Sequence, residues 1–143
     1  MDTERRRPQD RLDNLKVIPF KFKHFPLLVE MLEDQNYKAL GSVTYRSLPK
    51  IGYLAILHKQ PIAAGFLRRV EGGYAQIDTL VTNPYFGSKI RHVGIDMVVD
   101  SLLQSAKDLN LLGVIAFTEN ESVLKRSIDR GFQVISQTVL IKV

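Results

Sequence analysis

Tyr74-Ala75-Gln76-Ile77-Asp78-Thr79-Leu80-Val81-Thr82-Asn83-Pro84-Tyr85-Phe86-Gly87-Ser88-Lys89-Ile90-Arg91-His92-Val93-Gly94 packs a strand, a breaker and a helix start into one stretch. Tyr74 to Val81 has the apolar and β-branched content of a strand. Asn83-Pro84 interrupts it, and Ser88 can then N-cap a helix running to about Leu109. Ile90, Val93, Met97, Leu102, Ala106 and Leu109 are expected on its apolar stripe. Asn110 is a suitable stop.

Upstream, Ile51–Leu57 and Ile62–Val70 read as strands joined by a turn at His58-Lys59-Gln60-Pro61. Glu71-Gly72-Gly73 reads as a tight hairpin, because glycine supplies positive φ without steric cost. The three strands form an antiparallel meander. Before them, Leu15–Phe20 reads as a strand, with Pro19 marking an edge or an end. Phe25, Leu28, Val29 and Leu32 have helical spacing within Lys23–Gln35, and Pro26 fits only in the first turn. Asn36–Lys50 is open between a short helix and a packed loop. Downstream, Leu111–Thr118 is a continuous apolar run, as in a buried strand. Asn120–Arg130 reads as a short helix with Val123, Leu124 and Ile128 inward, ended by Gly131. Phe132–Ile135 and Thr138–Val143 close the chain as a last strand or a broken pair. The strand–helix–strand unit from Tyr74 to Phe117 needs a crossover, so its strands are expected to be parallel.

Bulk properties fit this order. The 143 residues suit one domain, with 45% apolar content and a net charge of +5. Residues 1–13 read as a basic lead-in and 14–143 as a single domain. A basic balance favours anionic partners without choosing among them. Cysteine is absent, which removes disulfides and thiolate chemistry. The N-terminus has no apolar signal-like core, and no apolar stretch is long enough to span a bilayer. The chain is therefore expected to be soluble and cytoplasmic, with no membrane partner. His24, His58 and His92 lie apart, without metal-site spacing. No P-loop or Gly-x-Ser-x-Gly pattern occurs. Arg5-Arg6-Arg7, Lys21, Lys23, Arg68 and Arg69 are spread over several elements with no recognition motif, which argues against nucleic acid.

The element order resembles the acyl-CoA N-acyltransferase (GNAT) superfamily. The resemblance rests on the hairpin leading into Asp78-Thr79-Leu80-Val81-Thr82-Asn83-Pro84, the long helix at once after it, and the apolar strand Val114–Phe117. It rests also on Asn120 followed at offsets of eleven and twelve by Gly131-Phe132. It covers about Leu15 to Val143. It implies an α/β fold: a mixed, mostly antiparallel sheet with a central, splayed parallel strand pair and helices on both faces. It further implies acetyl-CoA as cosubstrate, lying in the splay with its pyrophosphate at the long helix's N-terminus, and an N-acetyltransferase acting on a primary amine of a protein or small molecule.

By the same resemblance, backbone donors near Leu80 and Val81 would hold the carbonyl oxygen, and Asn120 would bond the pantetheine or a water. The family's phosphate loop, Gln/Arg-x-x-Gly-x-Gly/Ala, is matched poorly. Arg91-x-x-Gly94-x-Asp96 keeps two of three fixed positions but lies about four residues late. Aligning by the helix's apolar face instead puts Arg91, Val93 and Ile95 at the glycine positions, and both registers stay open. Ser88, Lys89, Arg91, His92 and Gly94 are the cofactor-binding candidates, with side-chain charge standing in for backbone donors. Ser127 stands where many members carry a tyrosine that acts as general acid. Asp78 is the candidate general base, or else a carboxylate paired with a nearby Lys or Arg. If Ile77, Thr79 and Val81 share a face, Gln76, Asp78 and Leu80 share the other. Tyr37, Tyr45 and Tyr53 read as core or edge packing. A catalytically degenerate binder of a protein target is the alternative, since compact chains of this kind are reminiscent of bacteriophage-encoded GNAT-like proteins. Thr138–Val143 is a candidate edge for a homodimer.

Overall fold

The computed structural model describes residues 12–35, 44–118, 121–135 and 139–142. A 3-10 turn at Leu12–Asn14 leads into β1 (Leu15–Pro19), α1 (Phe25–Asp34), β2 (Ile51–Leu57), β3 (Gln60–Val70) and β4 (Tyr74–Thr82). There follow α2 (Ser88–Asp108), β5 (Gly113–Phe117), α3 (Glu121–Asp129), β6 (Gln133–Val134) and β7 (Val139–Lys142). The sheet runs β1-β2-β3-β4-β5-β7-β6. Among the described residues only β4 and β5 pair in parallel. This is the expected α/β class: a mixed sheet with one central parallel pair.

The hairpins form where the sequence allows left-handed backbone. Gly72 and Gly73 turn β3 into β4 at φ 90° and 86°. His58 and Lys59 turn β2 into β3 at φ 47° and 66°, the pair of left-handed residues that a short hairpin requires. Each face of the sheet then buries one helix. On one face, Leu28, Met31 and Leu32 of α1 pack with Leu54, Phe66 and Val81. Pro26 sits in the first turn of α1. The start of α1 is fixed by His24, whose Nδ1 accepts a bond from the Lys21 amide at 2.9 Å. Burial, with the charges of Lys23 and Lys21, lowers the His24 pKa and favours this neutral acceptor.

On the other face, α2 contributes Val98, Leu102 and Ala106 to a core with Ala55, Ile62, Leu67 and Ala75. The buried line of α2 runs through Gly94, Val98, Leu102 and Ala106. Ile90, Val93 and Met97, expected at its centre, flank it, and Leu109 is exposed. Gly94 permits this approach, because a Cβ there would stand 2.7 Å from Ile62 Cγ2. Both long connections end alike. Asn110 and Gly131 take left-handed φ, and the Leu111 and Phe132 amides reach back to the carbonyls of Ala106 and Ser127. That is the Schellman closure of a helix C-terminus.

Three expectations need correction. Val123 and Ile128 of α3 do not point inward: they are exposed, and Leu124 alone of that trio packs on the core. Phe117, at the end of the apolar run, is 58% exposed, because β5 loses its β4 neighbour there. The terminal strand is no free edge for a dimer, since β7 pairs with β5 on one side and β6 on the other. No helix among the described residues is long and apolar enough to cross a membrane. Arg5-Arg6-Arg7, Tyr37 and Asn120 lie outside the described residues.

Candidate active site

β4 is paired on both sides at its start and on one side at its end. Its ladder with β5 covers Tyr74↔Gly113, Ala75↔Val114 and Gln76↔Ile115, and stops. Just beyond, Thr79 adopts φ 53°, a left-handed conformation that a β-branched residue avoids. The ladder with β3 slips at the same place, from Phe66↔Asp78 to Ala64↔Val81, so Thr79 and Leu80 both oppose Gly65. This is a β-bulge, which bends and twists its strand. Gly65 makes room for it: a Cβ there would lie 2.6 Å from Leu80 Cδ1 and 3.0 Å from Val98 Cγ1. The bulge also resets the alternation. Ile77 and Leu80 now face α2, and Val81 faces α1. The expected grouping of Ile77 with Thr79 and Val81 is thereby overturned.

Between the diverging strands lies an open cleft of about 460 Å³. Thr79 to Thr82 form one wall, Ala116 to Thr118 the other, and α2 and α3 bound the remaining sides. The end of β4 is anchored away from the cleft. Gln35 Nε2 donates to the Thr82 carbonyl at 2.9 Å, and Asn83 Nδ2 donates to the Pro61 carbonyl at 2.8 Å.

The helical side of the cleft carries three guanidinium groups, Arg91 from α2, Arg126 from α3 and Arg130 just past the end of α3, together with the imidazole of His92. The Nε of Arg91 is buried and has no hydrogen-bond partner among the described residues. A buried donor without a partner favours any acceptor that can reach it, and Arg91 is a residue of the cleft wall. Asp96 and Asp100 of α2 meet Arg126 of α3 and Arg130 just past its end, which cross-links the two helices. Arg126 Nη2 meets Asp96 Oδ1 at 2.5 Å and the His92 carbonyl at 3.3 Å. Arg130 meets Asp96 at 3.1 Å and Asp100 at 2.5 Å. Burial works to lower the Arg130 pKa, but the bonds and charges of Asp100 and Asp96 outweigh it and raise it.

The sequence candidates divide. Leu80, Val81, Arg91, His92 and Ser127 line the cleft. Ser88 and Lys89 are exposed and outside it. Ser88 is not the cap: Gly87 holds the N-cap position with extended backbone, and Ser88 is the first helical residue. Arg91-x-x-Gly94-x-Asp96 is therefore helix rather than loop. Gly94 faces Ile62 and Ala55 of the sheet, not the cleft, so its lack of a side chain serves packing. Asp78 also lies outside the cleft. It accepts from Arg68 Nε at 2.7 Å and from Thr79 Oγ1 at 2.8 Å, the paired carboxylate weighed as its other reading. Ser127 Oγ donates back to the Val123 carbonyl at 2.8 Å. Tyr53 bonds Ser105 Oγ at 2.7 Å, and Tyr45 stacks edge-on with Phe22 and Phe25.

Solved structures share this fold. An acetyltransferase from Streptococcus agalactiae superposes with a TM-score of 0.71, covering 91% of this chain and 98% of its own at 13% identity. A GNAT-family acetyltransferase from Staphylococcus aureus gives 0.70, covering 90% and 98% at 13% identity. The chain has the GNAT fold. PaiA N-acetyltransferase from Thermoplasma acidophilum, solved with coenzyme A, gives 0.64 at 14% identity, covering 89% of this chain and 96% of its own. No family model and no curated protein matches the sequence. Within the GNAT fold, sequence reasoning missed Thr79, Arg126, Arg130, Asp96 and Asp100 as a set. A signal existed in the last four: carboxylates four residues apart on one helix, and arginines four residues apart at the end of the next. Only the crossing of α2 and α3 shows that they meet.

Proposed function

We propose that this GNAT-fold chain is an acetyl-CoA-dependent N-acetyltransferase acting on a primary amine of a protein or small molecule. The observation that carries the reading is the splay of β4 from β5 at a bulge, beside a cationic helical wall. The residues present fit such a cosubstrate. Beyond Gln76 the β5 side of β4 has no strand partner among the described residues, which leaves backbone groups for the amides of an extended chain. The orphaned Arg91 Nε, with His92, supplies side-chain donors for phosphate oxygens. Backbone donors near Leu80 and Val81 would hold the carbonyl oxygen of the acyl group. Acetyl-CoA, when bound, supplies an activated thioester. An attacking amine must lose a proton. Asp78 is engaged by Arg68 outside the cleft, so in this reading solvent in the open cleft takes that proton. Asn120 keeps its proposed pantetheine contact by resemblance alone.

Two observations favour a second reading, a catalytically degenerate GNAT-fold protein that binds a protein target. The Ser127 hydroxyl is turned to its own helix, and Asp78 is tied up. Calorimetric titration with acetyl-CoA and CoA separates the readings. Binding on the order of micromolar, weakened about tenfold or more in Arg91→Ala by loss of a charge-assisted bond, supports the enzyme. No binding at millimolar ligand removes it in favour of the binder.

A further inference from the structure

Arg126 stands between two claims. Its guanidinium lines the same cleft as Arg91 and His92, yet its Nη2 is held by Asp96 Oδ1 at 2.5 Å and by the His92 carbonyl at 3.3 Å. A carboxylate among the cations of an anion site opposes the anion and occupies the donor that would bind it. The pair is also easy to exchange, because its side chains are 32% and 45% exposed and such pairs contribute little alone. Asp96 would not be stranded by the exchange, since Arg130 also meets it at 3.1 Å. Nor would α3 come loose. Arg130 keeps Asp100 at 2.5 Å and donates to the Asp96 carbonyl at 3.2 Å. The clasp is therefore asymmetric, with Arg130 as its fixed arm and Arg126 as its releasable one.

We propose that Arg126 is a switched anion ligand: Asp96 holds it here, and the phosphate oxygens of the cosubstrate take it over on binding. The inference rests on the acyl-CoA reading of the cleft. It gives Asp96 the part of an internal competitor that sets affinity.

The test is calorimetric titration of the full chain with CoA and, separately, with inorganic pyrophosphate. Asp96→Asn keeps the shape and removes the charge. It should tighten CoA about five- to tenfold, and Arg126→Met should weaken it about tenfold, the range of one charge-assisted bond. Asp100→Asn makes the same charge change beside Arg130 only, and should shift affinity less than about twofold, as a screened surface charge. In an Arg126→Met background, Asp96→Asn should tighten binding by less than about twofold, the remainder of plain charge repulsion. Arg126→Lys, which keeps the charge and loses the planar fork, replaces Arg126→Met if the latter fails to fold, and should show a smaller loss. If wild type binds but Asp96→Asn is no tighter, the exchange is overturned while the acyl-CoA reading stands. It is equally overturned if Asp96→Asn tightens binding undiminished without Arg126, which would be a plain charge effect. If no variant binds CoA or pyrophosphate, the acyl-CoA reading fails and the exchange falls with it.

Discussion

Two helices bound the same cleft and are held by different forces. α2 is anchored through the core, with Val98 and Leu102 fully buried and Gly94 drawn against Ile62. α3 has no buried residue. It rests on Leu124 and on ion pairs that Arg126 and Arg130 make to Asp96 and Asp100. Close-packed side chains permit little displacement, whereas partly exposed ion pairs trade partners at small cost. One boundary of the cleft is thus fixed by packing and the other is adjustable by charge. A ligand that must be admitted, gripped and released is well served by that asymmetry.

The largest expected effect falls on the fixed helix. Leu102→Ala removes a fully buried side chain from the α2 core and should cost about 2–5 kcal/mol by chemical denaturation. A cost under about 1 kcal/mol, the level of a surface change, would mean that α2 is no better anchored than α3. Gly94→Val comes next. Its Cβ would stand 2.7 Å from Ile62 Cγ2 and 3.6 Å from the Ala55 Cβ, so α2 must shift or Ile62 must leave its rotamer. Overpacking of this kind costs about 1–3 kcal/mol. A melting temperature equal to wild type would show that the helix can lift from the sheet, and would remove the contrast.

The same asymmetry decides how much of the molecule was legible in the sequence. Elements set by punctuation and burial were readable. Gly72-Gly73, Asn83-Pro84, Asn110 and Gly131 mark real boundaries, and Leu102 and Ala106 sit on a real core face. The bulge was hidden because Thr79 is an ordinary strand residue. Its left-handed φ is imposed by tertiary context, and strict alternation therefore placed Leu80 and Val81 on the wrong faces. Gly94 misled in the opposite sense. A glycine near a helix start looks like backbone access for a phosphate, while here it is a contact with Ile62. The α2–α3 clasp was hidden for a third reason, that charge spacing within each helix says nothing about which helix it meets. The candidate site was thus less legible than the fold, since it is built from a local backbone exception and from long-range charge pairs.

The smallest expected effect falls on the adjustable helix and completes the contrast. Arg130→Met removes both pairings of the fixed arm of the clasp, yet those pairs are partly exposed, so each is worth about 0–1 kcal/mol. The loss should shrink further in about 1 M salt, where the screening length falls to about 3 Å. The direction of that salt dependence is the decisive part. A packing defect, as in Leu102→Ala, keeps its full cost when charges are screened, whereas a charge defect fades. Thermal unfolding of both variants at low and high salt therefore reads the two mechanisms apart in one experiment. If Arg130→Met cost several kcal/mol and were indifferent to salt, α3 would be as firmly packed as α2. The cleft would then have two rigid boundaries, and any ligand would have to enter it without help from either helix.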